Sequence, residues 1–86
     1  MRDQALTPTP EQLASAPMLD CWVLVEHISP SGMTGYRMIG FVRGHPSMPD
    51  GWMETARVVD LDVDGEWCGT LAGVYRLLKP LLGSMH

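Results

Sequence analysis

The chain has 86 residues, 45% of them apolar and 19% charged, close to an ordinary globular domain and far from the composition of disordered, collagenous or coiled-coil chains. Six basic and ten acidic side chains leave a formal charge of −4, which argues against direct nucleic-acid binding and favours either a basic protein partner or plain solubility. No apolar run approaches the roughly 20 residues of a membrane span, and Met1, Arg2, Asp3 and Gln4 lead into a Thr/Pro-rich stretch instead of a signal core. The expected setting is cytoplasmic, with no membrane partner.

Residues 1–18 carry three prolines and few large apolar groups and read as an N-terminal arm, leaving 19–86 as one small β-rich domain. Within the arm, Thr9-Pro10-Glu11-Gln12 has the grammar of a helix start: a capping threonine, proline at the first helical position and glutamine three residues after the cap. A short helix over 10–15 is expected, ended by Pro17, which disfavours helix at Ala16.

From Leu19 the period changes to two. Cys21, Val23 and Val25 alternate with Trp22, Leu24 and Glu26, which predicts a strand. Ser29, Pro30, Ser31 and Gly32 break it, and a second strand is expected over 36–43. The stretch 44–51, with two prolines and two glycines, is the longest expected loop. A third strand starts at about Trp52 and ends in the clearest alternation of the chain, Val59, Leu61 and Val63 against Asp60, Asp62 and Asp64. One face should be core and the other an acidic ladder. Asp64-Gly65 is a strong two-residue hairpin signal, and 66–70 returns as a fourth strand.

The segment 71–82 has two readings. Leu71, Val74, Tyr75 and Leu78 obey helical spacing with Thr70 as cap, whereas 74–78 serves equally as a fifth strand after a turn at Ala72-Gly73. The expected fold is mainly β, an antiparallel meander or partly open barrel of four to five strands with a short N-terminal helix, its C-terminal segment open to either reading. The three tryptophans are expected to supply much of the core.

Chemistry-bearing constellations are sparse. Asp60, Asp62, Asp64 and Gly65 match the first half of a calcium loop, but the glutamate required at its end is Leu71, so a strand face is favoured and no metal is expected. Cys21 and Cys68 read as buried thiols, lacking the close spacing with His27 or His45 of a zinc site. No nucleophile elbow, phosphate-cradling glycine loop or metalloprotease pair is present, which leaves no catalytic residue and no cofactor to assign. His45, between glycine and proline, is expected to hydrogen-bond its own loop. Met33, Met48 and Trp52 would form a protein-binding patch if exposed together. Arg37, Arg43, Arg57 and Arg76 form no run, although strands can gather such residues in space.

Gly44-His45-Pro46, Asp50-Gly51, Thr55, Val58-Val59, Leu61-Asp62, Gly65, Trp67, Thr70 and Tyr75-Arg76-Leu77 together resemble a family of short uncharacterised proteins from proteobacterial genomes and mobile elements. Ser29, Ser31-Gly32-Met33 and Tyr36-Arg37 resemble a segment of small phage proteins. The resemblance spans residues 29–78 and implies a β-meander, hence a strand at 74–78, although Ala72-Gly73 departs from the serine and basic residue that relatives tend to carry. It implies no catalytic role, and its setting suggests a small inhibitor, such as an anti-CRISPR or other anti-defence protein.

The resulting expectation is a non-enzymatic binding protein. Asp60, Asp62, Asp64 and Glu66 would face a basic, nucleic-acid-handling surface of a host protein, with Met48 and Trp52 as apolar anchors. The alternative is an accessory protein that self-associates, as a homo-oligomer, through a strand edge.

Overall fold

The computed structural model describes residues 7–81. Helix α1 (Pro10–Ser15) starts where the local grammar places it: the Gln12 amide donates to Thr9 Oγ1 at 3.1 Å and the Thr9 amide donates to Gln12 Oε1 at 2.8 Å, the reciprocal pair that satisfies two otherwise unpaired donors. None of its residues is buried, so α1 rides on the domain and does not build its core.

Six strands follow: β1 (Met18–Ile28), β2 (Thr34–Arg43), β3 (Gly51–Glu54), β4 (Val58–Asp62), β5 (Trp67–Thr70) and β6 (Gly73–Leu77). They form one sheet in the order β3-β2-β1-β6-β5-β4. Neighbours are antiparallel except the central pair, where β1 and β6 run parallel with Met18 opposite Arg76 and Leu19 opposite Leu77. The sheet is therefore mixed, with six strands instead of four or five, and not a pure antiparallel meander. The segment after Thr70 is a strand and not a helix. Its threonine closes the β5–β6 turn instead of capping a helix, accepting from the Ala72 amide and donating to the Gly73 carbonyl.

The additional strand comes from a corner at residues 55–57 that splits the expected third strand. Thr55 is fully buried. Its amide donates to the Met38 carbonyl at 2.8 Å, and its hydroxyl accepts from the Met38 amide at 3.0 Å and donates to the Ala56 carbonyl at 2.7 Å. The chain is thereby pinned to β2 just where it leaves β3 for the other edge of the sheet. In a flat sheet these two edges would stand roughly 24 Å apart, whereas the four Cα steps from Glu54 to Val58 reach about 15 Å at most. The sheet must curl until its edges approach, yet β3 and β4 are not paired with each other and the sheet stays open.

Two bulges reset the faces. Between Asp20 and Val23 the register of β1 slips, with Cys21 at φ 51, so Leu19 and Trp22 both turn inward despite their odd spacing. Opposite the slip, a Cβ on Gly40 would meet the Asp20 carbonyl oxygen and Leu19 Cγ, both at 2.9 Å; only glycine admits that approach. A second slip lies between Val58 and Asp60. The core beneath comprises Leu19, Trp22, Met38, Val42, Cys68, Tyr75 and Leu77. Trp22 and Trp67 are buried as expected, but Trp52 is not.

Candidate functional site

The acidic residues do not form the expected ladder. The bulge leaves Val59 exposed and sets Asp60 opposite Gly69. There Asp60 is only 7% exposed, and its Cβ and the Trp67 Cζ3 both flank Gly69, 3.8 and 3.7 Å from the place a Cβ would take. The Asp60 carboxylate accepts from the Leu61 amide and helps to push the buried Cys68 thiol up to about 11, burial being the larger cause. Asp60 is thus buried and not part of an exposed acidic face.

Strand β4 ends at Asp62, and residues 63–66 form a four-residue turn in place of the two-residue hairpin. Asp62 Oδ1 accepts the Gly65 amide at 2.9 Å, and Glu66 takes a left-handed conformation at φ 62. Asp62, Asp64 and Glu66 are all exposed here, with Val63 at 49% exposure among them. Glu66 also borders a groove that holds Arg76 and Lys79, so the charge at this end is mixed in sign.

Trp52 lies on the opposite edge strand and is 63% exposed. Its ring stands edge-on to Phe41, with centroids 5.8 Å apart, and the Arg43 guanidinium lies 4.8 Å from the Phe41 ring. Strand alternation puts Glu54 on the same face as Trp52, with Asp50 just before the strand. Met48 is half-buried in a loop tied to itself: Asp50 Oδ1 accepts the Gly44 amide, and His45 Nδ1 accepts the Ser47 amide, the local bond expected of that histidine. Met33 is exposed but sits at the far end of β2, roughly 25 Å along the strand from Phe41, so Met33, Met48 and Trp52 do not make one patch. Among the described residues no three His, Cys, Asp or Glu side chains gather as a metal would require, and no helix is long and apolar enough to cross a membrane.

Sequence reasoning missed a cleft of about 490 Å³ at the open seam of the sheet. Beyond Met38, where Thr55 leaves it, β2 has no β3 alongside. The end of β2 forms one wall, and the corner at Ala56 and Arg57 with the Leu71 turn forms the other, the two held together by the Leu71 amide donating to the Arg57 carbonyl at 3.0 Å. Arg37 and Arg57, twenty positions apart, both line the cleft, and among the described residues no carboxylate does. Arg57 lies against the β2 backbone, its Nε 3.0 Å from the place of a Cβ on Gly35. Arg37 Nε is buried and has no hydrogen-bond partner among the described residues. The only sequence signal for this site was the presence of scattered arginines on strands, which carries no pairing information by itself.

Comparison with protein-family models, curated proteins and solved structures finds no match.

Proposed function

We propose that the chain is a non-enzymatic binding protein that occupies a basic, nucleic-acid-handling surface of a partner protein, the mode of action of an anti-defence inhibitor. The observation that carries this reading is Trp52, 63% exposed on an edge strand with Glu54 beside it on the same face and Asp50 just before the strand. An exposed indole is costly to leave in water and is among the commonest anchors of protein interfaces. Flanking carboxylates select a basic counterpart and steer its approach. Asp62, Asp64 and Glu66 add exposed carboxylates on the other edge of the curled sheet, with Arg76 and Lys79 in the groove that Glu66 borders, while Asp60 is buried. Affinity capture from cell lysate at low and high salt tests the reading. A basic partner should be retained by wild type at low salt, and lost with Trp52→Ser or with Asp62→Lys/Asp64→Lys while both variants stay folded. Retention by both variants removes the proposal.

The open sheet favours a second reading, self-association through the outer edge of β3 or β4, since neither edge pairs with another strand among the described residues. Sedimentation separates the two readings: a stable dimer at micromolar concentration supports self-association, a monomer supports the partner-binding reading.

A further inference from the structure

We propose that the cleft at the seam of the sheet binds a phosphate monoester with an aromatic or apolar body. This site is separate from the Trp52 face, and the inference does not depend on the function proposed above. In a chain of net charge −4, two arginines line a cleft to which no carboxylate among the described residues contributes. Such a pair raises the local potential for an anion and repels itself when the cleft is empty. Arg37 Nε is itself closed to solvent and has no partner among the described residues, which leaves the terminal N–H groups of that guanidinium as the donors an anion in the cleft would meet.

The donor inventory favours phosphate over carboxylate. Each guanidinium offers a fork of N–H groups. Ser29 and Ser31 share one hydrogen bond between their hydroxyls at 2.9 Å, and Ser29 Oγ accepts the Met33 amide. Whichever hydroxyl donates in that pair, one hydroxyl proton is left over. Two forks and a hydroxyl exceed what the two oxygens of a carboxylate accommodate, but suit the three terminal oxygens of a phosphate monoester. The rest of the lining includes His27, whose ring nitrogens add hydrogen-bonding capacity, and the apolar or aromatic Met33, Tyr36 and Leu71, all exposed along it. Its volume is that of a small-molecule site and exceeds what an inorganic ion fills.

The test is a heteronuclear NMR titration of the full chain with adenosine 5′-monophosphate, inorganic phosphate, adenosine and succinate. Saturable shifts at the Gly35, Tyr36 and Arg57 amides are expected with the nucleotide, weaker ones with inorganic phosphate, and none with adenosine or succinate. Arg37→Gln and Arg57→Gln should each weaken nucleotide binding roughly tenfold or more, while Arg43→Gln, outside the cleft, titrates as wild type. Gly35→Val retains both charges but displaces the Arg57 guanidinium, and should also weaken binding. Absence of saturable shifts at millimolar nucleotide, or unchanged titration of both arginine variants with their spectra still folded, overturns the proposal. Equal affinity for succinate overturns the phosphate assignment, and equal affinity for inorganic phosphate overturns the organic body.

Discussion

Replacing Thr55 by valine, nearly the same shape without the hydroxyl, tests whether the corner is what holds the sheet in its curled form. The side chain is fully buried and joins the Met38 amide to the Ala56 carbonyl, at 3.0 and 2.7 Å. Valine leaves the Met38 amide stranded, at about 1–3 kcal/mol for a buried unsatisfied donor, and loses the bond to Ala56, worth about 1 kcal/mol. The added methyl returns less than about 1 kcal/mol. The expected net loss is about 2 kcal/mol, a large share of the roughly 4–13 kcal/mol available to a domain of this length. Urea unfolding should show a lower midpoint at unchanged slope, and thermal unfolding a fall of roughly 10 °C. Thr55→Ser keeps the hydroxyl and should lose only the methyl contribution, about 1 kcal/mol. If valine proved as stable as threonine while serine did not, the hydroxyl bonds would be incidental and methyl packing would set the corner.

Three further outcomes follow from the same geometry. Gly40→Ala drives a methyl against the Asp20 carbonyl and Leu19 and should cost about 1–3 kcal/mol in urea unfolding; a neutral result would mean that the β1 bulge shifts freely. Cys21→Gly relieves a left-handed φ of 51 and should be neutral or stabilising, whereas Cys21→Val should lose about 1–2 kcal/mol; equal stability of the two would remove the strain argument. Burial, with Asp60 adding, pushes the Cys68 thiol from 9.0 up to about 11, so the folded state holds this proton more tightly than the unfolded state does. Its contribution to stability is complete below pH 9.0 and is lost as pH rises toward about 11. Burial followed by the Cys68 charge raises Tyr75 as well, in the same direction. Urea midpoints across this range should fall less steeply for Cys68→Ala than for wild type, and parallel profiles would contradict the assignment.

What the sequence disclosed was local. Thr9 and Gln12 specify a cap within four residues, and Asp64-Gly65 marks a reversal whatever surrounds it. The period-two runs of β1 and β2 needed only adjacent positions. The corner was hidden because Thr55, Ala56 and Arg57 include no glycine or proline; it is made by a hydroxyl bonded to Met38, on another strand. Alternation misled at Val59, because one inserted residue reverses the face of everything before it, and it gave no sign that Asp60, on its expected face, would be buried. Cys21 conceals a similar reset in β1. The approach of Arg37 to Arg57 follows from the curl of the whole sheet, and no spacing along the chain encodes it.

The parallel pairing of β1 with β6 also constrains the order of assembly. Each half, β1 to β3 and β4 to β6, is held by neighbouring hairpins and can begin to form on its own. The join between them needs Met18 to meet Arg76, residues 58 positions apart in the chain. Until that join forms, Leu19 and Leu77 have not met, and the inner edges of both halves present unpaired backbone. Long-range pairing of this kind slows folding, and strand edges that have not yet paired can find another molecule instead of each other.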